Sequence, residues 1–93
     1  MNYKFIAGID QSKLTIDVCL IQAAERQKLG ERKFENTSKG FKQMTIWMKS
    51  FEIDLCELLI CAEHTGLYSY PLCVCCQENQ LALWLESPLQ IKQ

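Results

Sequence analysis

The sequence predicts an α/β protein with a mixed five-stranded sheet, its elements running β-β-β-α-β-α-β. Three short strand-like runs come first, joined by connections too short to carry a crossover, so they should pair antiparallel. Two further strand-like runs each follow a stretch with helical features, which predicts right-handed parallel crossovers. The length of 93 residues predicts one domain, spanning 1–93, and no apolar run approaches the roughly 20 residues of a membrane span.

The first half of the chain predicts an antiparallel meander. Residues 5–9 are apolar and are closed by Asp10, as in a strand buried on both faces. After a polar turn, a second strand is predicted over 15–21, which is rich in β-branched residues. We interpret 23–30 as a loop and 31–35 as the third strand.

The first helix has both a start signal and an apolar stripe. Asn36, Thr37 and Ser38 can accept hydrogen bonds from the free N–H groups of a first helical turn. Apolar residues then recur at helical spacing, at Phe41, Met44, Met48 and Phe51. These features predict an amphipathic helix of about four turns.

A buried strand over 58–62, a helix over about 67–79 and a strand over 81–85 complete the order. Pro71 fits this helix only in its first turn, where its missing N–H costs nothing. Three hairpin-linked strands followed by parallel crossovers form the layout of the ribonuclease-H-like fold, incomplete here at the C-terminus. That layout puts the first strand at the centre of the sheet, with the fourth beside it.

Asp10 and Glu63 each end an apolar strand near the predicted centre of the sheet. Because ligands collect at the carboxyl ends of parallel strands and neighbouring strands lie about 4.8 Å apart, these carboxylates should lie close together. Like charges so close repel unless a cation lies between them, and two hard oxygen ligands suit Mg²⁺ or Mn²⁺. A pair of such ions can activate water for phosphodiester chemistry. The alternative is that both acids only mark where buried strands reach water.

Other polar residues near these strand ends admit a structural and a functional interpretation. Asp17 lies within the second strand and is expected to face solvent, whereas Glu86 ends the last strand. His64 could contact a phosphate or be structural. Thr65 and Gly66 could cap the second helix or present backbone N–H groups to a phosphate.

The cysteines and tryptophans are predicted to lie in the core. Cys73 and Cys76 form a C-x-x-C, but the six cysteines include no second such pair and the chain has one histidine. We therefore interpret the cysteines as small buried hydrophobic residues and predict no zinc site. Trp47 and Trp84 are expected to be core residues rather than stacking platforms for bases.

The charge composition gives no electrostatic argument for nucleic-acid binding. The formal net charge is −1 and the sequence pI is about 5.8. A DNA-handling protein of this composition would carry its basic surface elsewhere or meet DNA through metal ions. Residues 1–4 lack the design of a secretory signal, so a cytoplasmic location without membrane contact is expected.

Four motifs in order resemble one family of DNA-recombining enzymes. They are Gly8-Ile9-Asp10-Gln11-Ser12-Lys13 with Asp17-Val18; Asn36 with Gly40-Phe41 and Trp47; Glu63-His64-Thr65-Gly66-Leu67-Tyr68; and Glu86-Ser87-Pro88 with Lys92. In this order and spacing they resemble the DEDD insertion-sequence transposases related to the Piv and MooV DNA invertases. The resemblance covers essentially the whole chain.

The resemblance implies a RuvC-like domain in which four acidic residues hold divalent metal. Asp10 and Glu63 match the first two, while the remaining two aspartates and a serine-bearing domain would lie further along a longer chain. It also implies element DNA and a guide RNA as partners. The candidate nucleic-acid or site-supporting residues are Ser12, Lys13, His64, Thr65, Gly66, Tyr68 and Lys92. The missing final helix would leave apolar sheet surface uncovered, which makes self-association a hypothesis.

Two other interpretations remain open. Sugar-kinase and actin-like ATPases also begin with a strand ending in Asp, but they follow it with a phosphate-binding hairpin that is rich in glycine or contains threonine. Here the turn over 11–13 has no glycine, so backbone cannot wrap a phosphate as closely. A non-catalytic protein- or RNA-binding module is the third interpretation, in which the acids are incidental.

We predict that the 93-residue chain binds divalent metal weakly and does not cleave DNA strands. Two carboxylates are an incomplete ligand set for a metal pair. The measurement is a nuclease assay with Mg²⁺ or Mn²⁺ on a clean preparation. Robust cleavage that Asp10→Ala abolishes would overturn the prediction.

Overall fold

The sheet order puts the first strand at the centre. The structure is a computed structural model that describes residues 3–63 and 66–86. The strands are β1 Phe5–Gln11, β2 Thr15–Gln22, β3 Gln27–Glu35, β4 Leu58–Glu63 and β5 Ala82–Glu86; the helices are α1 Ser38–Lys49 and α2 Tyr70–Glu78. Short 3₁₀ turns, Leu55–Glu57 and Gly66–Ser69, precede β4 and α2. The order β3-β2-β1-β4-β5, antiparallel among the first three strands and parallel at β1/β4 and β4/β5, confirms the predicted layout.

The core lies between one face of the sheet and the two helices. Alternate strand residues are buried there, including Ala7, Ile9, Ile16, Val18, Leu20, Leu58, Ile60 and Ala62. They cluster with Phe41, Met44 and Met48 of α1 and with Leu72, Cys75 and Cys76 of α2. Among the described residues, no helix is long and apolar enough to cross a membrane.

The strand residues that alternate with these buried residues lie on the opposite face of the sheet, here termed the open face. The prediction that β1 is buried on both faces is wrong, since Ile6 and Gly8 are only partly buried. Trp84, expected in the core, is 60% exposed on this face, because β5 turns Leu83 and Leu85 toward the core instead. Trp47 does pack against the core, with its ring centroid 5.7 Å from that of Phe34.

Two element boundaries differ from the sequence prediction by more than two residues. The segment interpreted as a loop over 23–30 is mostly strand: β3 begins at Gln27, which pairs with Gln22 across a tight turn. Pairing with β2 gives these polar residues backbone partners that their own propensities do not indicate. The second helix begins at Tyr70 rather than near 67, with Pro71 in its first turn and Asn79 as its C-cap.

A close approach between α1 and β3 depends on Gly40. Thr37 is the N-cap of α1, and its side chain accepts a hydrogen bond from the Gly40 N–H at 3.1 Å. This first turn packs so closely on the end of β3 that a Cβ on Gly40 would overlap the backbone carbonyl of Glu35. The glycine is therefore required for packing rather than for an unusual backbone angle.

We expect Gly40→Ala to destabilise the protein by more than about 2 kcal/mol, because the overlap is with backbone that cannot rotate away. Replacing glycine by alanine within a helix normally stabilises the protein, so a loss of stability would point to the overlap with Glu35. Gly8→Ala is the matched control, since its Cβ would meet its nearest heavy atom at 4.0 Å. Urea unfolding of both variants measures the difference; equal effects would contradict the packing argument.

Candidate functional site

One lateral row of the open face carries a charged residue from each of the five strands. Register pairs Lys33 with Asp17, Asp17 with Asp10, and Glu63 with Glu86. The order across the sheet is therefore Lys33, Asp17, Asp10, Glu63 and Glu86. We term the four carboxylates the acidic row; neighbouring members lie on strands about 4.8 Å apart.

Asp10 and Glu63 meet at the centre of this row. The parallel register of β1 and β4 runs from Phe5↔Leu58 to Ile9↔Ala62, so Asp10 and Glu63 follow its last pair directly. Both residues are exposed at the carboxyl ends of their strands. The sequence prediction placed these two side chains together for this reason, and the sheet order it assumed is the one observed.

A shallow hollow of about 840 Å³ covers this part of the open face. Its lining includes all four acids of the acidic row, together with Cys61 and Trp84. Asp17 faces solvent, as predicted. It does so on the open face, the same face that carries Asp10. The sequence predicts only a strand end at Glu86, yet the register brings Glu86 beside Glu63.

The charge balance of the row is negative. Lys33 Nζ lies 3.9 Å from a carboxylate oxygen of Asp17, and Lys28 pairs instead with Glu31 at 2.9 Å. Among the described residues, Lys33 is the cation of the row, so four carboxylates face one ammonium group. Like charges on neighbouring strands destabilise a sheet, and a bound cation would relieve that repulsion.

The donor chemistry of this centre fits a hard divalent ion. Carboxylate oxygens at adjacent strand ends are ligands that Mg²⁺ accepts, often one or two at a time with water completing its shell. Within 3–63 and 66–86, no three His, Cys, Asp or Glu side chains converge as a ready-made metal cage. The arrangement therefore fits a partly hydrated ion held by Asp10 and Glu63.

Two side-chain amides border the same edge. Gln11 Nε2 donates to the backbone carbonyl of Glu63 at 3.1 Å and to Ser69 Oγ at 3.2 Å. Asn36 Nδ2 donates to the carbonyl of Ser12 at 2.8 Å and to that of Tyr68 at 3.2 Å. Asn36 belongs to the predicted helix start, but the N-cap of α1 is Thr37. The contacts of Asn36 join residues 24 and 32 positions away and have no local signature in the sequence.

The remaining candidate residues fall into three groups. Ser12 Oγ hydrogen-bonds the Thr15 carbonyl at 3.0 Å and stabilises the β1–β2 turn, in which Lys13 is exposed. Tyr68, which is 44% exposed, and Gly66 lie in the 3₁₀ turn that Asn36 ties to this hairpin. The other three candidates, His64, Thr65 and Lys92, lie outside the described residues.

Two of the three cysteines of α2, Cys75 and Cys76, are buried, and Cys73 is half-buried. Burial raises the pKa of the Cys76 thiol to about 12 and also raises the pKa of Cys75. The burial of Cys75 and Cys76 against the core agrees with their interpretation as small hydrophobic residues, whereas that interpretation is wrong for Cys56, which is exposed.

The family model of the IS110-type DEDD transposases, described as "Transposase", matches residues 7–93. No curated protein matches the chain. Among solved structures, T. thermophilus RuvC in complex with Holliday junction substrate is similar at 11% identity and a TM-score of 0.64, covering 98% of this chain and 69% of that one.

Two crystal structures of an Aquifex aeolicus Ppx/GppA family member are also similar. Their TM-scores are 0.57 and 0.60 at 14% and 13% identity; they cover 92% and 90% of this chain, which spans 36% of each. At such identities a structural similarity shows the fold alone. The RuvC similarity confirms the predicted ribonuclease-H-like fold.

We expect Asp10→Asn to raise the melting temperature by about 2–5 °C in metal-free buffer, because Asp10 has a like charge on each side. Asp17→Asn should raise it less, since the Lys33 ion pair is lost as well. Glu25→Gln, in the exposed β2–β3 turn, is the control for a general change of charge. The differences should shrink in high salt, and equal effects of Asp10→Asn and Glu25→Gln would contradict repulsion within the row.

Proposed function

The chain belongs to the IS110 family of DEDD transposases, and we propose that Asp10 and Glu63 are the first two of the four acidic residues that name this active site. Membership and the RuvC-like fold assign the chain to DNA transposition or recombination by a nuclease-type domain. One observation carries the residue assignment: the two acids lie side by side at the carboxyl ends of the central parallel strands.

In this proposal Asp10 and Glu63 hold Mg²⁺ or Mn²⁺. When bound, the ion supplies Lewis acidity and an activated water for phosphodiester chemistry. The carboxylates contribute their adjacent position, which the β1/β4 ladder maintains, and their negative charge, which attracts the cation. Asp17 and Glu86 extend the field on either side and raise the local concentration of divalent ions.

The acidic row also constrains how DNA can approach the protein. Phosphates are repelled by four carboxylates, so the backbone approaches the row only when cations neutralise it. Lys13 and Tyr68, exposed at the same edge, are the described residues we propose as nucleic-acid contacts, and Ser12 supports the turn that presents Lys13. His64, Thr65, Gly66 and Lys92 belong to the proposal through the family motifs.

The finer parts of the proposal concern partners and setting. The motifs support a relationship to the Piv and MooV invertases, with a guide RNA and element DNA as partners. A cytoplasmic location is part of the proposal but does not rest on the motifs. Self-association through the open face is also proposed, with Trp84 as its apolar contact. Two copies placed face to face would bring their acidic rows together, so such pairing depends on divalent cations or salt.

The test is a titration of the wild-type chain with Mn²⁺, in which binding is measured by the paramagnetic broadening of NMR lines. We expect broadening centred on residues 9–11 and 61–63, with a dissociation constant of the order of a millimolar. Asp10→Asn and Glu63→Gln should each weaken binding by about tenfold or more, because each removes one of two protein ligands.

Two controls separate site binding from general attraction. Glu25→Gln removes an exposed carboxylate from the β2–β3 turn, at the opposite end of β2 from Asp17, and should leave binding unchanged. Glu86→Gln removes a neighbouring charge and should weaken binding only about two- to threefold. Broadening spread over all acidic residues, or insensitive to Asp10→Asn, would refute the residue assignment.

A further inference from the structure

Four hydrogen bonds from two amide groups connect segments that are far apart in the sequence. Gln11 reaches across 52 residues to the Glu63 carbonyl and 58 residues to Ser69 Oγ. Asn36 reaches 24 residues back to the Ser12 carbonyl and 32 residues forward to that of Tyr68. We term Gln11 and Asn36 the amide clamp, because together they join the end of β1 to the connection that follows β4.

The clamp acts where the strand ladder stops. The last register pair between β1 and β4 is Ile9↔Ala62, so the parallel ladder does not extend to Asp10 and Glu63. On its other side Glu63 pairs with Glu86, another carboxylate. Repulsion within the row favours separation of these strand ends. The bond from Gln11 to the Glu63 carbonyl opposes this separation by continuing the connection one step beyond the ladder.

Asn36 connects two turns next to the carboxyl ends of β1 and β4. The cap of α1 is supplied by Thr37, so the Asn36 amide is not used for capping. Its two donor bonds instead join the β1–β2 turn at Ser12 to the 3₁₀ turn at Tyr68. Gln11 therefore bonds the last residue of β4, and Asn36 bonds Tyr68 in the 3₁₀ turn that precedes α2.

An amide can form these bonds without disturbing a cation site. It donates to carbonyl oxygens but is neutral, so it neither competes with a metal ion, as a lysine would, nor adds to the repulsion, as a carboxylate would. Gln11 Oε1 and Asn36 Oδ1 are buried and have no hydrogen-bond partner among the described residues.

We propose that Gln11 and Asn36 are positioning residues of the metal site. Gln11 holds the Glu63 end of β4 beside Asp10, and Asn36 fixes the 3₁₀ turn Gly66–Ser69 against the β1–β2 turn. This inference rests on the proposed function, since positioning matters only if Asp10 and Glu63 bind an ion. Outer-shell partners of metal ligands typically change metal affinity by about 10- to 100-fold when removed.

The experiment combines two readouts on the wild-type chain and on Gln11→Ala and Asn36→Ala. Amide hydrogen exchange in metal-free buffer should become about tenfold faster at Glu63 and over 66–69, because these segments lose their anchors. The Mn²⁺ dissociation constant should rise about 10-fold or more. The melting temperature should fall by only a few degrees, since the core is untouched.

Matched controls use the same residue types elsewhere. Asn79 donates its side-chain amide to the Cys75 carbonyl at 2.8 Å, so Asn79→Ala removes an asparagine bond at the C-cap of α2. Gln22→Ala removes a glutamine at the opposite end of the sheet from the acidic row. Both should leave Mn²⁺ affinity within twofold of wild type, whatever they do to stability.

The outcomes distinguish this inference from the proposed function. If wild type binds no Mn²⁺ at the row, the proposed function fails and with it the metal role of the clamp. If wild type binds but the alanine variants bind equally well with unchanged exchange, the clamp is overturned and the proposed function stands. Should an alanine variant unfold, Gln11→Asn and Asn36→Ser, which shorten the reach but keep a polar group, decide the same question.

Discussion

The parallel pairing of β1 with β4 at the centre of the sheet is the constraint on which both the fold and the site depend. The pairing buries alternate residues of the two strands, Ala7 and Ile9 with Leu58, Ile60 and Ala62, against the helices. A slip of one residue would turn the buried side chains to the open face and turn Glu63 toward the core. The same alternation that keeps the core apolar therefore keeps Asp10 and Glu63 adjacent and in water.

The site is a balance between repulsion and positioning. Four carboxylates in one row are tolerated because they lie on an exposed face, where water screens them. Neighbouring carboxylates still repel one another. Their combined negative charge attracts divalent cations, the kind of ion that a phosphodiester-cleaving enzyme uses. Neutral donors from Gln11 and Asn36 hold the strand ends without adding charge to the row. A surface that is mildly unfavourable for folding is thus suited to binding metal.

Sequence patterns predicted the central pair of the acidic row but not its other two members. Asp10 and Glu63 were predicted because each ends an apolar run, a feature visible within about six residues of chain. Asp17 and Glu86 were set aside as solvent-facing or terminal, since their alignment with Asp10 and Glu63 depends on register between strands. The early start of β3 at Gln27 and the exposure of Trp84 were missed for a related reason: both depend on which neighbour a strand has, not on its own composition.

The sequence by itself determined the order of elements, the central place of β1 and the pair of acids at the ends of β1 and β4. The order of elements and the pair of acids follow from local periodicity, connection length and apolar runs, which are properties of neighbouring residues. The central place of β1 follows from the analogy between that order and the ribonuclease-H-like layout. Only the tertiary structure decided which face of the sheet stays open, which four acids share a row, and what the amides of Gln11 and Asn36 contact. Each of these depends on contacts between residues 24 or more positions apart or on strand register, neither of which has a signature in the local sequence.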